Sequence, residues 1–406
     1  MKLEGAVSVE PFTPTAARGR VVSAAGVAFA VAVAHGANDA YIGFLNPLLP
    51  RIMSRLGLSI ALAATLAMTL SLASSLVQPI MGYLADRYDR RLFVVLGPVV
   101  TGVCMSMIGL APSFVVLMLI LALGGLGSAA FHPPGASLAA RVSEGRGSGM
   151  RLSFFSFGGA VGYAAGPLIA VGLVASQGLE QLWLAMLPIL VLAPAVFLIV
   201  PAERVSKEQA EPPSIRRVLT LLRGPLGLIF AISALGAFTQ RVFLTMQPIS
   251  VSLVGGSEAM GAVTLSIYLG GQAAGSLVGG ILSDRVDRRR LLVAICSLSF
   301  PAHVAAIALA PGSPLALASA AVAGLLNMAL LPPLVVIGQE VVPAGAALIS
   351  GVVMGLAWAV ASVVTLGTGV IGDAFGPRTA ALVSVPAMLV AAILGSRLRI
   401  QRIPHR

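Results

Sequence analysis

Long apolar stretches alternate with short polar or Gly/Pro-rich breaks along the chain. They fall near residues 21–48, 58–82, 92–111, 114–141, 149–175, 180–201, 224–252, 259–282, 291–311, 314–341, 345–372 and 378–396. A helix needs about 20 mostly apolar residues to cross the hydrocarbon core of a bilayer, so the pattern predicts twelve spans and an all-α integral membrane fold. The breaks divide the chain into a tail (1–20), a six-helix bundle (21–201), a linker (202–223), a second six-helix bundle (224–396) and a second tail (397–406). The linker is polar and carries Pro212–Pro213, which suits a segment joining two units.

Composition agrees: 57% of residues are hydrophobic and 10% charged, against about 25% charged in soluble domains. The formal charge of +11 does not point to nucleic acid, because the basic residues sit in the gaps between spans. Of the 26 Lys and Arg, 22 lie in alternate gaps and the two tails, Arg51, Arg55 and Arg378 lie on the other side, and Arg241 lies inside a span. By the positive-inside rule both termini are cytoplasmic, as in an inner, plasma-type membrane. No cleavable signal is evident in residues 1–20, so the first span is expected to be retained. Cys104 and Cys296 both fall within spans and read as inert buried thiols.

The break after the second span reads LADRYDRR (84–91) and that after the eighth reads LSDRVDRR (282–289), identical at six of eight positions and 198 residues apart. The chain therefore contains a duplicated six-helix unit, and parallel repeats of this kind are one plan of secondary transporters.

With its doubled loop motif the chain resembles the major facilitator superfamily over essentially its whole length. HGANDAYIGFLNPLLP in span 1, QPIMGYLADR ending span 2 and AAFHPPGAS in span 4 resemble the fosmidomycin-resistance branch of drug exporters. The resemblance implies a functional monomer of two pseudo-symmetric bundles. It also implies a cytoplasmic gate motif at Gly82, Asp86, Arg87, Arg90 and Arg91, repeated at Gly280, Asp284, Arg285, Arg288 and Arg289, in which the Asp86 carboxylate contacts a neighbouring helix end. Asp89 and Asp287 stand where that family usually has glycine, and left-handed aspartates are expected to preserve the turn. After the proline of span 4 the branch often has an acidic residue where this chain has Pro134, and the span lacks the mid-membrane arginine of many proton-coupled exporters, Arg141 being the nearest.

Ionisable groups within spans are costly and tend to face a cavity. His35, Asn38 and Asp39 share one face of span 1 with Ile42, a spacing of i, i+3, i+4, i+7. Arg241 lies in span 7, where the 198-residue register matches it to residue 43, one turn from Asp39. Gln240 and Gln247 extend its polar face. A guanidinium needs a partner there, and Asp39 is the expected one. His132 precedes Pro133–Pro134, and span 10 has Pro332–Pro333 near the equivalent place, so both helices are expected to be kinked or unwound beside the substrate site. A structural histidine at 132 fits equally, and His303 in span 9 reads as packing. Gly158, Gly162 and Gly166, followed by Pro167, are spaced for close helix approach.

No phosphate-binding loop, Cys/His metal spacing or nucleophile elbow is present, which argues against an enzyme and against a cofactor. The expectation is a rocking secondary transporter of a small amphipathic or anionic compound, exported in exchange for protons. Its partners are then that compound, protons and the lipid bilayer. Two alternatives fit the same residues: a proton-linked importer of an organic acid, and a non-transporting membrane sensor.

Overall fold

The computed structural model describes residues 23–141, 148–202, 220, 222–341 and 351–398. Among these there is no strand, and eleven helices are long and apolar enough to cross a membrane. They are α2 (Ile60–Arg87), α3 (Arg90–Leu110), α4 (Phe114–Arg141), α5 (Ser148–Gln177), α6 (Leu179–Ile199), α7 (Pro225–Leu253), α8 (Glu258–Arg285), α9 (Arg288–Ala308), α10 (Pro314–Val341), α11 (Gly351–Phe375) and α12 (Pro377–Arg397). The first crossing, α1, is two helices, Ala24–Ile42 and Leu45–Leu56, with Gly43 and Phe44 between them. Twelve crossings in two halves of six follow. Residues 203–219 and 221 of the linker, the first tail and residues 399–406 of the second lie outside the described residues.

The repeat extends into the helix starts. Ser59 and Ser257, 198 residues apart, each cap a helix by accepting from the third residue on, Leu62 N and Met260 N. Such a cap satisfies one of the four unpaired N–H groups at the helix start.

Glycines set the close seams. Gly158, Gly162 and Gly166 of α5 lie against the carbonyls of Ala32, Gly36 and Ala40 of α1, where any Cβ would collide with main chain. Small residues let membrane helices approach this closely, which is the packing the spacing predicts. The second half has the same device at Gly271, Gly275 and Gly279 of α8, against Ala321, Leu325 and Ala329 of α10. The halves meet along α2 and α11, from Gly372 against Ile60 to the Ser71–Ser362 hydroxyl pair at 2.6 Å. Outward-facing residues such as Val191, Val115 and Leu253 leave their side chains exposed, which suits a lipid solvent.

At the bundle end distal from the termini, two contacts tie the halves together. Arg51 Nε lies 2.7 Å from Glu258 Oε1. The Asp373 carboxylate accepts from Ile60 N at 2.6 Å and Ala61 N at 3.2 Å, so a residue of α11 caps α2.

At the other end, the expected loop motif is mostly helix: Gly82–Arg87 and Gly280–Arg285 are the last turns of α2 and α8. The pairs described there stay within their own half. Asp86, in the last turn of α2, pairs at 2.6 Å with Arg90, the first residue of α3. Asp89 and Asp287 are not left-handed, with φ of −110° and −53°. They cap α3 and α9, accepting from Arg91 N and Arg290 N. An aspartate can make that bond and a glycine cannot, which explains the departure from the family pattern.

The two motif copies also diverge. Arg87 donates to the Tyr83 hydroxyl, Arg91 stacks 4.0 Å over Phe197, and Gly82 lies beneath Pro133. In the second copy Arg288 bonds Glu340 at 2.5 Å and Ser283 O, Gly280 faces open space, and Asp284, Arg285 and Arg289 are exposed.

Candidate functional site

The polar face of α1 meets α4 and α5. One turn apart on α1, His35 and Asp39 are an ion-pair couple, Nε2 to Oδ2 3.2 Å. From α4, His132 Nε2 lies 3.4 Å from Asp39 Oδ1, the oxygen that also accepts from Asn38 Nδ2 at 2.9 Å. Asn38, fully buried, also donates to Ser128 of α4.

Each ring is held from behind. His35 Nδ1 donates to Phe155 O of α5 at 2.8 Å, its ring stacking 4.1 Å from Phe155 and lying against the bare face of Gly159. His132 Nδ1 donates to Ser128 O at 2.8 Å, one turn back on its own helix. The donor atoms of His35, Asp39 and His132 all lie within 4.8 Å of one another.

The expected pair between Asp39 and Arg241 is not made. Two imidazoles, one a single turn away on the same helix, already occupy both carboxylate oxygens. Arg241 instead lies with its guanidinium 5.3 Å from the Trp358 ring of α11, its Nε buried without a hydrogen-bond partner. It lines a space of about 440 Å³ between the halves, together with Asn46, Ser71, Ser74, Tyr163 and Thr245. Hydroxyl and amide groups thus face a fixed positive charge. Tyr163 of α5 brings the first half into the wall of this cavity.

The other expected site residues are dispersed. Gln240 lines a second space of about 260 Å³ with Trp358 and Asn327. It donates to Gln272, which donates to Asn327, which donates to Gly236 O, a ladder across α7, α8 and α10. Gln247 is buried and lines neither space.

Pro133 and Pro134 lie inside an uninterrupted α4, so of the expected kink or unwinding the helix is not unwound there. They remove the N–H donors to the Ala129 and Ala130 carbonyls, yet the helix continues on either side. Only α10 breaks, at Leu330, two residues before Pro332–Pro333. His303 packs as expected, fully buried between Ser299 and Tyr268. Tyr163, Ser128 and the Gln272–Asn327 pair were not singled out from sequence. The register of 198 would have placed Asn327 beside Ser128, at residue 129.

The sequence profile of the Major Facilitator Superfamily matches residues 27–365. The chain is 26% identical to the "Uncharacterized MFS-type transporter YfnC" of Bacillus subtilis, over 90% of this chain and 91% of that one. It is 26% identical to the fosmidomycin resistance protein of Escherichia coli, over 66% and 67% of the two chains, and 28% identical to the multidrug resistance protein MdtG of that species, over 54% and 55%. Among solved structures, an inward-facing, occupied bacterial homolog of the human lysosomal transporter Spinster superimposes with a TM-score of 0.77 at 17% identity, covering 93% of this chain and 98% of that one. The nucleoside transporter NupG does so with a TM-score of 0.77 at 14% identity, covering 92% and 99%.

Proposed function

Since the chain belongs to the major facilitator superfamily, and is a transporter rather than an enzyme, we propose that it exports a small polar anion in exchange for protons. The observation that carries this reading is the placement of Arg241, a permanent cation with no carboxylate partner among the described residues, in a cavity lined by hydroxyls and apolar side chains alike. Leaving one buried charge unpaired costs about 3–5 kcal/mol, and a bound anion removes that cost. The hydroxyls of Ser71, Ser74, Thr245, Ser362 and Thr365 line the same cavity and can donate to such an anion. The resistance functions named for two relatives support outward movement.

Protons enter through the Asp39 cluster. Binding of the anion at Arg241 and loss of protons near Asp39 alternate as the halves rock about the α2–α11 seam. The reading places a monomer in an inner, plasma-type membrane with both termini in the cytoplasm, where the basic gaps lie.

The test uses purified protein in liposomes, with fosmidomycin and a panel of small carboxylates and phosphonates against neutral amide analogues. Wild type should move protons on addition of an anion. Arg241→Gln should lose anion transport by at least 100-fold, and Asp39→Asn should transport without proton movement. Anion transport by Arg241→Gln with an unchanged KM would sink the substrate reading; undiminished proton coupling in Asp39→Asn would sink the coupling reading. Uptake-dependent growth in place of resistance would reverse the direction.

A further inference from the structure

Three of the chain's four histidines lie in described helices, and all three commit the same ring nitrogen. His35 Nδ1, His132 Nδ1 and His303 Nδ1 each lie 2.8 Å from a main-chain carbonyl, those of Phe155, Ser128 and Ser299. A carbonyl oxygen only accepts, so Nδ1 carries the hydrogen in every ring. The three rings then differ only in what Nε2 faces.

At His303, Nε2 lies 3.2 Å from the Tyr268 hydroxyl. A hydroxyl can donate, so a neutral ring is satisfied there. At His35 and His132, Nε2 faces opposite oxygens of one carboxylate, at 3.2 and 3.4 Å. A bare Nε2 against a bare carboxylate oxygen sets two lone pairs against each other. Each contact therefore needs one hydrogen, and there are two contacts.

We infer that His35, Asp39 and His132 form a two-proton store, doubly loaded in the conformation described here. The count belongs to the cluster and not to any one atom. With both protons the three groups carry +1, and with neither they carry −1. Asn38 on α1 also bonds the carboxylate and joins it to Ser128 on α4; Tyr163 on α5 and Arg241 on α7 are the other titratable or charged groups of the adjoining cavity.

The two protons have different mechanical consequences. His35 and Asp39 both belong to α1, so losing the proton between them breaks no contact between helices. His132 belongs to α4, and losing its proton turns an α1–α4 attraction into a repulsion. The second loss is the one that moves a helix. Exchange of two protons for an anion is electrogenic. The inference rests on the proposed proton coupling, and it adds the number of protons and their carriers.

The test is 15N NMR of histidine-labelled, chelator-treated protein at pH 7 without substrate, with signals assigned through single His→Gln variants that include His405. His35 and His132 should both give imidazolium signals, and His303 the neutral signal of the Nδ1–H tautomer. Asp39→Asn, which removes the charge but keeps the shape, should lose at least one imidazolium signal. Neutral rings at both His35 and His132 in wild type, or one neutral ring beside an Asp39 carboxylate that 13C NMR shows to be ionised, overturn the count. A pair of bare Nε2 atoms whose signals shift when Zn2+ is returned also overturns it, in favour of a metal ion. If one histidine cannot be replaced without loss of folding, the wild-type spectrum with the His303 and His405 assignments still decides. Because the sample holds no substrate, a neutral ring in a protein that moves protons in liposomes leaves the coupling reading intact. Two imidazolium signals in a protein that moves none would fail that reading instead.

Discussion

The two halves share a scaffold and differ in what bridges their helices. In the first, α1, α4 and α5 are joined by His35, Asp39 and His132, groups that gain and lose protons. In the second, α7, α8 and α10 are joined by Gln240, Gln272 and Asn327, amides that do neither. The register of 198 matches Gln240 to Ile42, one turn beyond Asp39, and Asn327 to Ala129, beside Ser128. The equivalent helix pairs α1–α4 and α7–α10 thus carry a titratable bridge in one half and a fixed one in the other, the third helix being α5 in the first and α8 in the second. The second half adds Arg241, a charge that does not titrate in proteins. On the proposed reading, proton sensing and anion attraction are divided between two copies of one unit.

What the halves have in common should break alike and hardest. Gly162→Leu would drive a side chain into the Gly36 carbonyl, and Gly275→Leu into that of Leu325. Main chain cannot yield as a flexible side chain can, so each should cost more than about 3 kcal/mol, read as loss of folded, monodisperse protein. Severe loss in only one of the two would show that the seams are not equivalent.

What the halves do not share should separate in a second pair. Asn327→Ala leaves the Gln272 amide hydrogens without their acceptor and removes the second donor to the Gly236 carbonyl, which costs about 1–3 kcal/mol. Thermal unfolding should show the same loss at pH 5.5 and pH 8, because nothing in that ladder titrates. His132→Gln should leave thermal stability with a weaker dependence on pH than wild type. A pH-dependent penalty for Asn327→Ala would erase the distinction between the bridges.

Much of this division was legible along the chain and part was not. Twelve crossings and the duplication could be read because apolar length and an eight-residue repeat are local properties. The α1 cluster was half legible: His35, Asn38 and Asp39 announce one face by spacing. His132 lies 93 residues beyond Asp39, and only folding brings the two within 3.4 Å. The expected Asp39–Arg241 pair failed for the same reason, since the register gives proximity along an axis and not which partner arrives first. The Gly271, Gly275 and Gly279 seam has the spacing already recognised at Gly158, Gly162 and Gly166, and the same rule would have found it. Asp89 and Asp287 were misread because their place was compared with a glycine and not with a helix cap.

The seam between the halves supplies smaller effects. Asp373 accepts two N–H groups at the start of α2, across the interface. A carboxylate in that position contributes about 1 kcal/mol as a cap and through the helix dipole. Asp373→Asn should therefore move the population towards separation of the halves at the end distal from the termini. Spin-label distances across that end should show it as a longer component, and an unchanged distribution would mean that the α2–α11 packing alone closes the end.

The smallest effect belongs to Arg51 and Glu258. Their geometry is good, at 2.7 Å, but the Arg51 side chain is 40% exposed, so water and ions screen the pair. Exposed pairs contribute about 0–1 kcal/mol, and the Debye length is about 8 Å at 0.15 M salt. Glu258→Gln should lengthen the same spin-label distances at low salt and leave them unchanged at high salt. Asp373→Asn should act at both, because its bonds go to main-chain N–H groups at a helix start and not to a mobile cation. Equal salt dependence in the two variants would make the distal closure a matter of net charge. Different dependence would make Asp373 the anchor and the Arg51–Glu258 pair an accessory to it.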